Sequence, residues 1–263
     1  MEKLGRNKLD IQKVLAPAAL VILYIFFSFA GNNFFTLDTF KNILESSYYI
    51  GFMAFGVTFI IITGGIDLSL GTVMMCSALL GAYVFKQLQW SLVAALLVTL
   101  GVGVFFGFLN GIFVAKLKLP PFISTLGTMM MSQGIGSNEE AARLSGINVD
   151  NWKVAVYTLS GFFVGMAGIM YAAAYTTITP GTGNGQEMNG ITGVVIGGTS
   201  MSGGSGTMAG TLIGVFIMAV LKNGLSACGL QAPWQTFFTG LVVIGAVLLD
   251  IYRTKAANKV KKS

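Results

Sequence analysis

Few side chains in this chain could do chemistry, and three of them are isolated polar groups within or beside apolar sequence: Asp67, Asn110 and Glu187. An ionisable group at membrane depth is expensive to bury and is often functional, so these residues are candidates for lining a pathway. Asp67 also has a structural explanation. It stands where it could cap a helix beginning near Leu68, which we favour, and a pathway role is compatible with that cap.

Asn110 and Glu187 carry similar alternatives. In its apolar helix, Asn110 could hydrogen-bond to a neighbouring helix, which we favour, or offer a polar group to a passing solute. Glu187 lies between Gln186 and Asn189 in a polar stretch that the topology below places outside the cell. It could line an entrance or contact an external protein, and a hydrated loop is the interpretation we favour.

The sequence lacks the usual signatures of catalysis and cofactor binding. Histidine is absent, and the two cysteines, Cys76 and Cys228, fit neither a disulfide framework nor a CxxC metal site. No G-x-x-x-x-G-K-[ST] sequence occurs, and the glycine-rich run 203–209 lacks the preceding strand and later acid of a dinucleotide site. We therefore predict no catalytic residue, no metal site and no cofactor, and a tight cytoplasmic turn at 203–209.

A charged island interrupts the apolar sequence over residues 138–147. A helix-prone, charged interval between uncharged segments must lie in water. Two acids beside a basic residue predict a surface on which a soluble protein docks. The residues of the island that we assign to this surface are Asn138, Glu139, Glu140, Ala141, Ala142, Arg143 and Gly146.

Composition indicates a membrane protein. Apolar residues make up 54% of the 263, charged residues only 10%, and the mean hydropathy is +0.75, whereas soluble domains are roughly 25% charged. Several uncharged runs reach the roughly 20 residues that a membrane-crossing helix needs. The prediction is an all-α, polytopic integral membrane bundle, a single domain over 1–263. The net charge of +6 does not indicate nucleic-acid binding, because the basic residues gather at the termini and in short loops.

The candidate spans are distributed along the whole chain, and some are short or re-entrant. Basic residues precede the first span and follow the last, so both termini are predicted to be cytoplasmic. The spans are Val14–Ala30, Tyr49–Thr63, Gly71–Phe85, Trp90–Val114, Phe122–Ile135, Val154–Tyr175, Ile191–Ser200, Thr207–Leu221 and Phe237–Leu249.

These nine spans conflict with two cytoplasmic termini, which require an even number of crossings. The conflict can be localised, because Lys116, Lys118 and the charged island all belong inside by charge. Phe122–Ile135 therefore joins two cytoplasmic points. Either it is re-entrant, or a second span that should follow it is missing from the chain.

Glycines four residues apart are typical of closely packed membrane helices. They recur in three series, which we interpret as packing surfaces: Gly103, Gly107 and Gly111; Gly161 and Gly165; Gly206, Gly210 and Gly214.

The ordered set of motifs resembles the membrane-spanning permease subunit of bacterial ABC importers for monosaccharides, the ribose-type branch. The resemblance extends from about residue 34 to 250. Its motifs are Ile62–Ser69, Leu109–Gly111 leading to Ala115 and Lys116, Pro121–Thr128, Asn138–Val149, Pro180–Gly183 and Val194–Ser200 with Gly203 and Gly204.

The resemblance implies a multi-pass permease in the bacterial cell membrane that carries a ribose-like monosaccharide by alternating access and is not itself an enzyme. It implies four kinds of partner: a cytoplasmic ATPase subunit, an extracytoplasmic sugar-binding protein, a second permease copy or paralogue, and membrane lipid. The island, as residues 138–150, then corresponds to the family's cytoplasmic coupling segment, with Glu140-Ala141-Ala142 and Gly146 as its EAA-type core.

The chain departs from that family between Gly134 and Asn138, where an external loop, a membrane helix and a short basic lead-in are absent. The parity conflict falls at the same place. Two alternatives therefore stay open. One is a secondary transporter, which would need paired ionisable groups within its spans. The other is a truncated paralogue that binds the ATPase without transporting.

Overall fold

The computed structural model describes residues 2–131, 149–175, 177–178 and 180–260, and within them the chain is helical and contains no strand. This confirms the all-α bundle. The helices are α1 (Glu2–Ala30), α2 (Leu37–Ile62), α3 (Leu70–Lys86), α4 (Leu92–Gly111, continued by a π-helical turn, Ile112–Lys116), α5 (Pro121–Met131), α6 (Val149–Ala174), α7 (Gln186–Ile196), α8 (Met208–Ala227) and α9 (Ala232–Val260).

Five of these helices are long and apolar enough to cross a membrane, over Leu37–Ile62, Leu92–Lys116, Asp150–Ala174, Met208–Ala227 and Ala232–Tyr252. The apolar part of α1 and the whole of α3 are somewhat shorter. By contrast, α7 has 11 residues, as does the described part of α5. At about 1.5 Å per residue each covers roughly half of a 30 Å hydrocarbon core.

Lys116 and Lys118 mark one end of the bundle, called the Lys116 end below. The Lys116 ammonium donates a hydrogen bond to the side-chain oxygen of Asn151, and Lys118 forms an ion pair with Asp150. The end of α4 and the beginning of α6 therefore lie at the same end of the bundle. Consequently α5 and the residues that follow it connect two points on one side, as the parity argument requires.

The described part of the predicted span Phe122–Ile135 belongs to α5, which is described as far as Met131. The re-entrant nature of this span stays a prediction. Residues 132–148, including the whole charged island, lie outside the described part of the chain.

Glycines pack the helices as their spacing predicts. A Cβ on Gly103 would approach Gly165 N at 2.7 Å, and one on Gly107 would approach Gly161 Cα at 2.7 Å, so α4 and α6 touch backbone to backbone. In the same way Gly210 and Gly214 of α8 lie against the backbone at α7, whereas Gly206 of the same predicted series precedes α8 and lies against the side chain of Thr199.

The core lies where α2 packs against α6, α7 and α8. Thirteen residues of α2 are buried, so it runs through the centre of the bundle. Tyr49, Met53 and Val57 of α2 belong to the largest cluster of buried apolar side chains, with Met74 of α3 and Val164 of α6. This core includes Leu70 and Val73 in the first turn of α3, and from α7 it takes Ile191 and residues beyond the first turn.

The glycine-rich run 203–209 forms the predicted turn before α8. Gly203 and Gly204 both have a φ of 79°, in the left-handed region that glycine adopts most easily. The Gly204 N–H donates to the Ile62 carbonyl at 2.8 Å, which joins this turn to the end of α2. Thr207 then caps α8, its hydroxyl accepting from the Gly210 N–H.

Candidate functional site

A buried hydrogen-bonded network, called the polar cluster below, lies where α3, α4 and α5 meet. Its members are Asp67, Ser69, Asn110, Thr125 and Thr128, each at most 2% exposed. The preceding loop enters the bundle beside Asn110, so that α3 begins next to the last turns of α4. This entry brings together groups that are far apart in the sequence.

Asp67 is the acceptor at the centre of the polar cluster. Its Oδ1 accepts from the Ser69 N–H at 2.8 Å and from the Ser69 hydroxyl at 2.6 Å, and its Oδ2 accepts from the Asn110 amide at 3.2 Å. Among the described residues, no basic side chain forms an ion pair with it. The carboxylate is therefore stabilised by neutral donors, the arrangement that lets a buried acid persist without a cation.

The predicted cap by Asp67 differs in detail from what the structure has. The helix begins at Leu70, not near Leu68, and Ser69 occupies the N-cap position without making a side-chain cap bond. Asp67 stands two residues earlier and accepts the Ser69 N–H in a short turn. It fixes the entry to α3 without occupying the cap position itself.

Asn110 makes the predicted bonds across helices. Its amide nitrogen donates to Asp67 and, at 3.0 Å, to the Ser69 hydroxyl, while its oxygen accepts from the hydroxyl of Thr128 on α5. One side chain of α4 thus links the start of α3 to α5. The favoured interpretation of Asn110 is confirmed.

The hydrated loop expected at Glu187 is wrong. Glu187 lies in the first turn of α7 and is only 5% exposed. Its Oε1 accepts from the Gly185 N–H at 3.1 Å, whereas its buried Oε2 has no hydrogen-bond partner among the described residues. The carboxylate is kept there by a helix N-terminus, which favours negative charge.

The first turn of α7 meets the first turn of α3 through glycine. A Cβ on Gly71 would lie 2.5 Å from Glu187 Oε2 and would also collide with the Gly183 carbonyl. Between Tyr175 and α7, the only helical turn in the described residues is the 3₁₀ turn Pro180–Gly183. Glu187 therefore lies beside Gly71, two residues along the chain from Ser69 of the polar cluster.

The arrangement offers carboxylate, amide and hydroxyl groups at the buried ends of interrupted helices. In transporters, such half-helix ends commonly form substrate sites, because they bring backbone and side-chain polar groups to the interior of a bundle. Groups of these types can exchange hydrogen bonds with hydroxylated solutes. In the described residues there is also no cluster of three or more side chains that could hold a metal ion.

Ser69, Thr125 and Thr128 were not singled out from the sequence. Thr125 accepts from the Leu68 N–H at 3.1 Å and so fastens α5 to the entry of α3. The available signal was the spacing of Ser124 and Thr128, which share one face of α5. Spacing does not say whether such a face meets lipid or a polar partner.

The chain matches the family described as "Branched-chain amino acid transport system / permease component" over residues 39–137 and 133–247. The ribose import permease protein RbsC of Escherichia coli K12 is 30% identical over 294 residues, covering 88% of this chain and 91% of the relative. The corresponding protein of Bacillus subtilis 168 is 32% identical over 308 residues, with 94% of both chains covered.

The autoinducer 2 import system permease protein LsrC of Salmonella typhi is 28% identical over 298 residues, covering 91% of this chain and 85% of the relative. No solved structure matches the chain.

The same alignments bear on the interruption near residue 135. The alignment with the Escherichia coli permease is 294 residues long but covers only 88% of 263 residues, so that relative has several tens of residues without a counterpart here. The family match is also divided into two parts that meet at 133–137, where the missing segment was predicted.

The two family matches together span most of the chain, and relatives of 30% identity or more cover nearly all of it. The protein therefore belongs to the family of branched-chain amino acid transport system permease components, which are multi-pass membrane subunits of import systems.

Proposed function

We propose that this chain is the permease subunit of an ATP-driven importer, and that it carries a ribose-like monosaccharide across the bacterial cell membrane by alternating access. The observation that supports it most is the similarity, over nearly the whole chain, to ribose import permeases. A second permease copy or paralogue would complete the pathway. An extracytoplasmic sugar-binding protein would deliver the substrate.

In this proposal Asp67, Asn110 and Glu187 form the polar part of the pathway. Their present bonds are internal, which suits a closed state. During transport, movement of α7 away from α3 would expose Glu187 Oε2 first, because that oxygen has no described bond to break. Sugar hydroxyls would then take the place of the Ser69 and Asn110 donors at Asp67.

The coupling segment of the proposal is residues 138–150, with Asn138, Glu139, Glu140, Ala141, Ala142, Arg143 and Gly146 as contacts for the ATPase subunit. Residues 149 and 150 begin α6, which runs through the bundle against α4. A rigid helix rooted at the docking surface can transmit the motion of the ATPase into the bundle.

Uptake of radiolabelled ribose tests the proposal. Cells without other ribose importers would express the chain with its proposed ATPase and binding-protein partners. We expect ATP-dependent uptake that Asn110→Leu abolishes while the permease remains in the membrane. Uptake that persists without the ATPase would contradict the proposal and indicate a secondary transporter.

Docking of the ATPase is measured separately by co-purification. Glu140→Lys should release the ATPase, because reversing a charge at an interface costs on the order of several kcal/mol. Gly146→Trp should do the same by preventing close approach. Lys41→Glu, which reverses an exposed charge on α2, is the matched control and should leave the complex intact. Retention of the ATPase by both island variants at the unmutated level would contradict the docking role.

One observation favours a second candidate, a paralogue that binds the ATPase without transporting. The relatives contain several tens of residues that this chain lacks. If the complex assembles and hydrolyses ATP but ribose and other monosaccharides are not taken up, this candidate replaces the importer.

A further inference from the structure

A groove with a volume of about 820 Å³ runs along the outer surface of the bundle between α4 and α6. It is separate from the polar cluster, which is buried on the other side of α4. Its walls are apolar along most of their length, and one end carries a basic residue. The side chains that matter below are Val104, Phe108, Ile112 and Lys116 of α4, with Ala155 and Leu159 of α6.

The glycine contacts create this groove. Because Gly107 and Gly161 let the two backbones touch, larger side chains on either side of the contact stand above a shallow floor. On α4 the wall residues recur every four positions, which places them in one row along the helix. The π-helical turn Ile112–Lys116 ends this row at the rim.

The length of the groove corresponds to one leaflet of a membrane. Val104 and Lys116 are twelve residues apart, which is about 18 Å along a helix. Half of a hydrocarbon core is roughly 15 Å. With Lys116 at the level of the lipid headgroups, the apolar walls therefore reach to about the middle of the bilayer.

The rim carries a positive charge suited to an anionic headgroup. Lys116 is exposed, and its ammonium is hydrogen-bonded to the neutral amide of Asn151. Among the described residues, the nearby acid Asp150 is paired with Lys118. No described acid forms an ion pair with Lys116, whose charge can therefore meet an anion at the membrane surface.

We propose that this groove is a binding site for an anionic phospholipid, with one acyl chain along the walls of α4 and α6 and the phosphate at Lys116. Neither the wall nor the cation alone would specify this occupant. An apolar channel one leaflet long that ends at a lysine matches the chemistry of an anionic lipid on that side of the membrane.

Photo-crosslinking tests the site in the full-length chain, reconstituted in phosphatidylcholine nanodiscs containing a small fraction of phosphatidylglycerol with a diazirine on its acyl chain. We expect crosslinks concentrated on 104–116 and 151–162. Unlabelled phosphatidylglycerol should displace the probe, and phosphatidylcholine should not. Lys116→Gln should weaken labelling about fivefold, the effect of one basic residue near the surface, and Lys116→Arg should restore it.

Two controls separate this site from general contact with lipid. Lys86→Gln removes an exposed lysine at the last turn of α3, at the opposite end of the bundle, and should leave labelling unchanged. Ala155→Trp fills the groove and should reduce labelling, whereas Ile244→Trp on the exposed side of α9 should not.

Three results would overturn the proposal. The first is labelling spread over α9 in proportion to its exposure. The second is equal labelling of the unmutated chain and the exposed-lysine variant Lys116→Gln. The third is displacement of the probe by glycerol phosphate as effectively as by the whole lipid, which would indicate a site for the headgroup alone.

Discussion

Glycine brings backbones together both along α4 and α6 and between α3 and the start of α7, but the two contacts differ in extent. The first runs over successive turns, from Gly103 to Gly111 on α4. The second is one pair, Gly71 with Gly183. A contact that spans several turns can separate only as a whole, whereas a single pair can open locally.

The groups around the two contacts likewise favour a rigid contact in the first case and a contact that can open in the second. The contact between α4 and α6 is made mainly of backbone and apolar groups, which have one good arrangement. The contact between α3 and α7 stands beside Asp67 and Glu187. The carboxylates of these two residues can accept hydrogen bonds from a solute in place of their present donors. We therefore interpret α4 with α6 as a frame, and the first turn of α7 as the part that moves.

The largest effect is expected from Gly161→Leu in the frame. A Cβ at Gly161 would lie 2.8 Å from Gly107 Cα, and backbone atoms cannot be displaced by a rotamer change. The loss of stability should exceed the roughly 1–3 kcal/mol that is typical of overpacking. The measurement is the thermal midpoint and the yield of monodisperse protein in detergent.

Gly101→Leu is the matched control for that change. Gly101 lies on α4 in an exposed position, with nothing within 4 Å of its ideal Cβ. It should fold as the unmutated chain does. If both leucine variants unfold at the same temperature, α4 and α6 are not a tightly packed frame.

Gly71→Ala should have the next largest effect, and chiefly on transport. The added methyl would collide with Gly183 and with Glu187 Oε2, so the first turn of α7 must shift. Without a collision, glycine to alanine within a helix stabilises by up to about 1 kcal/mol. We expect instead a loss of about 1–3 kcal/mol and a larger loss of ribose uptake.

Gly51→Ala provides the comparison, because a Cβ at that position of α2 meets nothing within 4 Å. Its stability should be unchanged or higher, and its uptake normal. Normal uptake by Gly71→Ala would show that the contact between α3 and α7 need not keep this geometry during transport.

Coupling within the polar cluster should be smaller and measurable by a double-mutant cycle. Asn110→Ala and Thr128→Val each remove one partner of a hydrogen bond that joins α4 to α5. Cycles of this kind in membrane proteins average about 0.6 kcal/mol and reach about 1.7. We expect the upper part of that range, because both side chains are almost fully buried. Additive effects of the two changes on the thermal midpoint would show that the bond does not couple the helices.

The glycine faces of the frame were predictable from the sequence, but not which helices they bring together, and the polar cluster was predictable only in its separate members. Gly103 and Gly161 belong to four-residue repeats, and a repeat specifies a helix face directly. Asp67 and Asn110 were noticed because they are polar in apolar sequence. Their contact was not predicted, since it depends on where α3 begins relative to α4.

Glu187 shows why hydropathy misplaces such residues. A polar stretch after a long apolar helix ordinarily indicates a hydrated loop. Here the chain returns into the bundle as a 3₁₀ turn and a short helix, so a backbone N–H replaces water at one of the carboxylate oxygens. Ser69 and Thr128 were missed for another reason. Hydroxyl side chains readily bond to their own helix, so their sequence gives no sign of a partner elsewhere.

The smallest effect is expected from removing either of two ion pairs. One pair lies at the end of the frame and the other on an exposed helix face. Lys118 and Asp150 join the chain after α4 to the start of α6, with side chains 21% and 35% exposed. Lys41 and Asp38 pair on the surface of α2, with exposures of 59% and 89%. Exposed pairs contribute about 0.2–1 kcal/mol, and we expect the Lys118 pair at the top of that range and the Lys41 pair at its bottom. Parallel double-mutant cycles, Lys118→Gln with Asp150→Asn and Lys41→Gln with Asp38→Asn, measure both by thermal unfolding. The coupling free energy of the Lys118 pair should also decrease less when salt is added, because a partly buried pair is less screened. Equal couplings with equal salt dependence would mean that the Lys118 pair contributes no more to the frame than an exposed ion pair does.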